Sequence, residues 1–255
     1  MKKMITYAGL AILMLAQLTS TAQRRERAEY DPMAKPNIVK LNLMSLAFKN
    51  ISLQYERVLG NKISVACGVR YMPKGALPLT NSLDGLASSD STSFSDWKAS
   101  SFSICPEFRF YPRRAGKGFY LAPYLRFRSS SLDLPVDYTD DFGVRQNMTA
   151  TGNFTSYMGG FMIGSQFNLG PMVTLDWYII GIQYGITNGN LDFTTTKAMS
   201  ANDQADIRAS FEDIRDASSA FNNITYSISS NKASLGGRFG MIGFRGFGLN
   251  LGFKF

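Results

Sequence analysis

The chain has 255 residues, enough for one domain with a complete core, and carries a formal net charge of +8. It contains no histidine. Histidine is the usual general base near neutral pH and the commonest transition-metal ligand, so nucleophile–histidine pairs and histidine-based metal sites are excluded. No cofactor is expected, and because the basic residues are scattered rather than clustered, no nucleic-acid partner is expected either.

The first 22 residues have the pattern of a secretory signal peptide. Lys2 and Lys3 form a basic start, residues 5–15 are mostly apolar, and residues 20–22 are the small residues that a signal peptidase recognises. The alternative is an uncleaved membrane helix, which the short apolar run disfavours because a span needs about 20 apolar residues. We therefore expect a mature chain beginning at Gln23, with residues 23–37 as a periplasmic N-terminal segment.

Eight stretches of the mature chain alternate apolar residues with small or polar ones. In the second stretch, for example, Ile51, Leu53 and Tyr55 alternate with polar neighbours. Successive side chains of a strand point to opposite faces, so this pattern predicts strands with one apolar face. The predicted strands cover residues 39–43, 51–56, 63–71, 102–111, 119–128, 157–168, 173–179 and 247–255.

Two features disturb this pattern. After Ile179 both faces become apolar, which predicts either a bulge or a crowded interior. Pro106 and Pro123 lack the backbone N–H that a strand ladder uses, so each is expected at a locally distorted position.

The connections alternate in length. Those after the second, fourth and sixth strands are short, whereas those after the third, fifth and seventh are long, covering about 72–101, 129–156 and 187–243. The connection after the first strand, near residues 49–50, is also short. This alternation is typical of outer-membrane barrels. The predicted fold is therefore all-β: a closed antiparallel eight-stranded transmembrane β-barrel in the cell outer membrane, residues 38–255, with short periplasmic turns, long external loops and both termini in the periplasm.

Charged residues distinguish a lipid-facing barrel from a soluble barrel with an apolar interior. Nearly all charged strand residues lie on the face opposite the apolar one; only Arg57 and Arg245 share the apolar parity, at strand ends. A charge facing mid-membrane lipid costs roughly 2–4 kcal/mol, so the apolar face is expected to face lipid. The inward charges predict a lumen charge network of Lys40, Glu56, Arg70, Glu107, Arg109, Arg126 and Asp176.

Two interpretations of this network remain open. The first is a salt-bridged polar plug, because an eight-stranded barrel is just wide enough to be filled by side chains. The second is a narrow anion-preferring path past Arg70 and Arg126. Because buried charges must be paired to be tolerated, Glu107 is expected to contact an arginine.

Aromatic residues on the apolar face gather near strand ends, as in the two aromatic girdles of a membrane barrel. The predicted girdle comprises Tyr55, Tyr71, Phe102, Phe110, Phe119, Phe127, Tyr157 and Phe167.

The last nine residues alternate and end in Phe253 and Phe255, which looks like the assembly signal of outer-membrane barrels. The segments "KLNLMSLAFKNISLQYERVLGNKISVACGVRY", "PEFRFYP", "GFYLAPYLRF" and "GFGLNLGFKF" resemble an uncharacterised family of small Gram-negative barrels, a domain of unknown function that is OmpA/OmpX-like in plan. The resemblance implies a location and a fold, with outer-membrane lipid and the barrel-assembly machinery as partners. It implies no established activity.

Residues 203–221 carry the one clear helical pattern, with Asn202 as its expected N-cap. Ile207, Phe211, Ile214 and Phe221 lie on one stripe, which is expected to pack on the barrel mouth or to bind a partner. Cys67 and Cys105 should face opposite sides of the sheet, so no disulfide is expected between them.

Four functions follow from these patterns. We expect a non-enzymatic outer-membrane barrel with a structural role or a role in surface interaction, which could involve a surface partner bound by the long loops. The alternatives are a narrow anion-preferring channel, a histidine-independent enzyme acting on lipid, and a soluble ligand-binding barrel, which the charge parity disfavours.

Overall fold

A computed structural model describes residues 31, 34–76, 96–139, 143–217 and 223–255, with side chains described up to 136 in the segment that ends at 139. The predicted signal peptide, most of the 23–37 segment and Phe221 lie outside the described residues. In the described part, two helices accompany ten strands. The helices are α1 (Leu43–Ala47) and α2 (Ala201–Asp216). The strands are β1 (Asn37–Asn42), β2 (Ile51–Val58), β3 (Ile63–Ala76), β4 (Lys98–Phe110), β5 (Gly118–Thr139), β6 (Arg145–Asn168), β7 (Val173–Thr195), β8 (Ile224–Ile228), β9 (Lys232–Arg245) and β10 (Gly248–Lys254).

Eight of these strands form a ring. Strands β1 to β7 pair in sequence order, all antiparallel, and β10 pairs with both β1 and β7. The prediction of an all-β chain whose eight strands close on themselves is therefore confirmed.

The ring is staggered. Following paired residues once around it from Leu175 on β7 leads back to β7 at Ile186, 11 residues further along, through Leu251, Leu41, Leu53, Val69, Ile104, Phe127 and Tyr157. A closed sheet with such a stagger requires strands that tilt relative to the ring axis.

Strands β9 and β10 occupy the same position in the ring, one above the other along β7. β10 pairs with the first part of β7, and β9 pairs with its continuation from Gly181 to Thr194. Gly246 and Phe247 separate the two strands, and β8 adds to the far part of β9. The sequence pattern predicted only β10, so β8 and β9 correct the expected loop at 187–243.

Three strands extend far beyond the predicted ones. β5, β6 and β7 have 22, 24 and 23 residues. The long connection expected at 129–156 is therefore wrong: β5 and β6 pair continuously from Gly118↔Gln166 to Thr139↔Arg145. The extended parts form a continuous sheet, here called the projecting sheet, made of residues 129–139, 145–156, 187–195, 224–228 and 232–239.

The two helices also differ from expectation. Leu43, predicted as the end of the first strand, begins α1, because the Asn42 side chain accepts a hydrogen bond from the Ser45 N–H and caps a helix. α2 begins two residues earlier than predicted, since Ser200 and Asp203 form a reciprocal capping box and Asn202 is not the cap. Neither helix of the described residues has the length and hydropathy needed to cross a membrane.

The sequence predicted local irregularities at Ile179 and at the two prolines. Ile180 pairs with Ile163 and Tyr178 with Gly164, so Ile179 is the extra residue of the predicted bulge. The β4–β5 register stays constant past the two prolines, and its pairs are interrupted there rather than shifted. Both cysteines are free, as the opposite faces of Cys67 and Cys105 predicted.

The start of β1, the C-terminal residue and the short turns lie at one end of the ring. Asn37 and Phe255 exchange backbone hydrogen bonds, and the β2–β3, β4–β5 and β6–β7 connections return the chain at the same end. α1 and the projecting sheet lie at the other end.

The two faces of the ring invert the usual distribution of polarity. Large apolar side chains such as Leu53, Leu125 and Phe161 are 50–67% exposed on the outside, whereas Lys40, Glu56, Arg109 and Asp176 are fully buried inside. The ring interior, here called the lumen, is therefore a polar core.

Candidate functional site: the charged lumen

The sequence-predicted charges that come together lie on four strands of the ring. β1 supplies Lys40, β2 supplies Glu56, β4 supplies Glu107 and Arg109, and β7 supplies Asp176. Each occupies the inward parity of its strand, so the alternation that leaves apolar groups outside also brings these charges together. All five are at most 4% exposed.

Arg109 is the centre of this group. Its Nη1 lies 2.7 Å from Oδ2 of Asp176 and 3.2 Å from Oε2 of Glu56, and its Nη2 lies 2.8 Å from Oε2 of Glu107. Nη2 also donates a hydrogen bond of 2.9 Å to Gln54. A planar guanidinium with five donors suits such a position, since it can serve several acceptors at once.

Lys40 holds the other side of the two carboxylates that Arg109 shares. Its Nζ forms an ion pair with Glu56 and lies 2.6 Å from Oδ2 of Asp176. It also donates to Oε1 of Gln166 at 3.1 Å.

Arg245 completes the network and corrects the sequence-based expectation. It was placed on the apolar parity, but its Nη1 lies 2.7 Å from Oε1 of Glu107 inside the ring. Gly246 and Phe247 insert one residue between the inward parities of β9 and β10, so Arg245 and Gly248 both face inward. In an uninterrupted strand, residues three apart face opposite sides. Two aromatic residues at this spacing, Phe244 and Phe247, are therefore the signal in the sequence that the faces shift between them.

Tyrosines fill the remaining space and satisfy the carboxylates. Tyr111 donates to Glu56 at 2.9 Å, and Tyr120 donates to Asp176 at 2.8 Å. The Arg109 guanidinium lies 4.5 Å from the centre of the Tyr120 ring, and that of Arg245 lies 4.5 Å from the Tyr178 ring. Such cation–π contacts stabilise desolvated cations. The sequence pattern placed Tyr111 and Tyr120 inward without assigning them to the network, and it did not place Tyr178.

The network is electrically balanced. Glu56, Glu107 and Asp176 are matched by Lys40, Arg109 and Arg245, three against three. The expected contact of Glu107 with an arginine is present twice. Balanced and hydrogen-bonded charges are the form in which ions are tolerated away from water.

The structure leaves two predicted network members apart from this group. Arg70 contacts the Tyr178 hydroxyl at 3.4 Å, and the Arg126 guanidinium lies 5.6 Å from the Tyr124 ring. Both line a cavity of about 30 Å³ on the projecting-sheet side of the network, together with Arg245. That volume suits about two water molecules.

The predicted girdle aromatics all lie on the outer face. Six are more than 36% exposed, and Phe127 and Phe167 are half-buried. Tyr71 pairs across strands with Phe102, and Phe127 pairs with Tyr157 at a ring distance of 5.3 Å. Tyr55, Phe110, Phe119 and Phe167 lie nearer the short turns. The predicted assembly residues Phe253 and Phe255 are 47% and 53% exposed.

Beyond the mouth, α2 is attached to the projecting sheet by one buried aromatic residue. Phe211 packs against Phe193 and Tyr226 at ring distances of 5.8 and 5.9 Å. Tyr226 donates a 2.6 Å hydrogen bond to Glu212, which raises the pKa of Tyr226 above its usual value. Of the predicted stripe, Ile214 is 43% exposed and Phe211 is the anchor.

Ion pairs and hydrogen bonds occupy the carboxylates of this arrangement. In the described part of the chain, no three His, Cys, Asp or Glu side chains are placed to hold a metal ion. The three lumen carboxylates are each engaged by at least two cations or hydroxyl donors.

In comparisons with known proteins, no family model, no curated protein and no solved structure matches the chain.

Proposed function

We propose that this chain is an integral outer-membrane β-barrel with a non-enzymatic, structural or surface-interacting role. The observation that carries the proposal is the inverted polarity of the ring. Six matched charges lie inside, five of them buried and the sixth, Arg245, with a side chain only 10% exposed, and exposed Leu, Ile, Val and Phe side chains cover the outside. Water would expose a large continuous apolar surface, whereas hydrocarbon would cover it favourably.

The extent of the apolar surface supports a bilayer as its surroundings. On β6 the outer face is mainly apolar or small from Tyr157 to Phe167, with Ser165 as the polar interruption. Ten residue steps at about 3.3 Å, tilted by about 40°, rise about 25 Å, which matches the apolar band of such barrels.

The apolar surface ends within one step of the alternation. The row Phe127, Tyr157 and Ile186 crosses β5, β6 and β7, and the next outward row is Ser129, Thr155 and Asn188. Further outward positions, Asn153, Asn190 and Asp192 among them, continue polar along the projecting sheet. This boundary supports a sheet that leaves the membrane and stands in water.

The orientation follows from the same boundary. The short turns and both described chain ends would lie in the periplasm, and the projecting sheet with α2 would lie outside the cell, as in outer-membrane barrels generally. A polar sheet of five strands carrying a helix offers a surface for a partner, which favours surface interaction within this proposal.

The alternatives receive less support. An anion channel needs a continuous water path, whereas the lumen is filled by the six-charge network and four tyrosines. An enzyme acting on lipid would need a free general base, and the chain has no histidine while its lumen carboxylates are ion-paired. In planar bilayers we expect no stepwise conductance; regular anion-selective steps would favour the channel.

Membrane insertion can be tested with the natural tryptophans. Trp177 lies on the outer face, 43% exposed, and the W97F variant leaves it as the only tryptophan. We expect its fluorescence to be quenched strongly by lipids with brominated acyl chains and weakly by aqueous iodide. Folded protein should also migrate faster than boiled protein in a detergent gel. A mature protein that is soluble without detergent, with Trp177 open to iodide, would refute the proposal.

A further inference from the structure

Among the described residues, no strand continues the wall of the ring above β1, where α1 contacts β2 and β10. β1 ends at Asn42, where the chain turns into α1, while the neighbouring course continues upward as β9. Among the described residues, no strand pairs with the edge of β9 that faces away from β7 between Gly240 and Arg245. In hydrocarbon an unpaired strand edge is costly unless another group covers it.

The outward-facing side chains of this edge are unusually exposed. Ile242 and Phe244 are 73% and 71% exposed, more than the other large hydrophobic residues of the described chain. The opening, here called the lateral gap, is thus bordered by an apolar surface suited to an acyl chain.

An arginine group lies in the mouth reached through this gap. Arg70 on β3, Ser103 on β4 and Arg128 on β5 are directly paired in one inward row, and Arg126 lies one inward position deeper. The cavity lined by Arg70 and Arg126 extends to Asn42 and Arg245, which are at the rim of the gap.

Within the described residues, these arginines have no carboxylate beside them. In the part of the chain that the structure describes, Arg70, Arg126 and Arg128 form no ion pair with a carboxylate, unlike the cations deeper in the lumen. Three neighbouring cations repel one another, and an anion placed among them would relieve the repulsion. Guanidinium groups bind phosphate oxygens with paired, charge-assisted hydrogen bonds.

We propose that the lateral gap and the arginine group form a binding site for a membrane lipid with a phosphomonoester headgroup. The phosphate lies among Arg70, Arg126 and Arg128, and an acyl chain leaves through the gap across Ile242 and Phe244. A phosphomonoester offers three free oxygens and more than one negative charge, which suits three guanidinium groups better than a carboxylate or a singly charged phosphodiester does. This inference rests on the proposed membrane location.

The test uses the full mature protein released in a neutral detergent, with native mass spectrometry to measure binding. The probes are phosphatidic acid, phosphatidylcholine with the same acyl chains, and inorganic phosphate. We expect a one-to-one complex with phosphatidic acid that is at least tenfold tighter than that with phosphatidylcholine. The R70Q/R128Q double variant should weaken phosphatidic acid binding at least tenfold. R113Q, which removes one positive charge at a short turn, should bind like the wild type.

A second measurement locates the acyl chain. A phosphatidic acid with a photoreactive group in its chain should label β9 near Ile242 more than β6 near Phe161, which is similarly exposed on a fully paired part of the wall.

Each contrary outcome is distinct. Equal binding of both lipids, unchanged binding by R70Q/R128Q, or uniform labelling of the wall would overturn the site. Complete displacement by equimolar inorganic phosphate would leave an anion site without a lipid. If the protein shows the heat-dependent gel shift and Trp177 quenching but fails these tests, only this inference falls; failure of those two measurements would remove the proposed function itself.

Discussion

Replacing Arg109 by methionine tests whether the lumen network holds the ring together. The arginine contacts three buried carboxylates, so its removal leaves Lys40 and Arg245 facing Glu56, Glu107 and Asp176. One negative charge is then uncompensated inside a closed sheet. Breaking a buried pair by removing one partner costs about 3–5 kcal/mol, so we expect R109M to lower the free energy of unfolding by that amount.

The measurement is equilibrium unfolding in urea from phospholipid bilayers, followed by tryptophan fluorescence and extrapolated linearly to water. R113M is the control, because Arg113 is exposed at a short turn and its loss should change stability by less than about 0.5 kcal/mol.

A double variant separates charge balance from lost packing. R109M/D176N removes one cation and one anion together and restores two against two. It should therefore be less destabilised than the sum of its single variants, by about 0.5–3 kcal/mol. If R109M stays within about 1 kcal/mol of wild type, or the double variant equals the sum of the two single variants, the network does not stabilise the ring as argued.

Three further predictions address packing, the membrane boundary and the helix. A methyl group at Gly248 would overlap the ring of Tyr178, and one at Gly164 would overlap the ring of Tyr120. G248A and G164A should therefore each lower the free energy of unfolding in urea by about 1–3 kcal/mol. G170A, with open space around it, should leave it unchanged. On the outer face of β6, F161R should lower the free energy of unfolding in bilayers by about 2–4 kcal/mol. N153R, on the same face eight residues away, should lower it little, and equal losses for the two variants would contradict the boundary at Tyr157. F211A should speed proteolytic cleavage within Ala201–Asp216 and leave the urea midpoint of the ring unchanged. I214A should change neither the cleavage rate nor the midpoint. An unchanged cleavage rate in F211A would contradict the role of Phe211 as anchor.

Alternation of apolar and polar residues predicted the ring because one face of each strand is an apolar outer surface and the other lines a polar lumen. Where both demands apply, as for Lys40 beside Val39 or Arg109 between Phe108 and Phe110, the pattern identifies the face of every residue. The same alternation indicated the bulge at Ile179, since a bulge exchanges the faces of the residues beyond it.

Beyond the predicted membrane boundary this signal disappears although the strands continue. Ser129, Thr155 and Asn188 pair in register as regularly as the apolar row before them. In water neither face must be apolar, so residues 129–139 and 145–156 have the composition of loops. Backbone pairing carried onward from the ring, rather than side-chain periodicity, determines their structure, and a single sequence does not show such pairing.

Arg245 shows how a local irregularity conceals a member of the lumen network. Parity counted backward from Phe247 places it outside, and only the two-residue break before Gly248 returns it to the lumen, beside Glu107. The helix start is a similar case. Ser200 and Asn202 are both good N-caps, and the carboxylate of Asp203, which accepts from the Ser200 N–H at 2.9 Å, decides between them.

The two ends of the lumen differ in a way that bears on the proposed function. Toward the short turns, the three cations of the network match its three anions, and the tyrosines leave little space. Toward the projecting sheet, the described lumen side chains include more cations than anions, and no described strand pairs with the free edge of β9 between Gly240 and Arg245. Matched charges such as those near the short turns are sufficient for stability. A purely structural barrel would therefore be expected to have matched charges along the whole lumen. Arg70, Arg126 and Arg128 have no ion pair with any described carboxylate, and their mutual repulsion does not help a purely structural barrel. This favours a role in interaction at that end over a purely structural one.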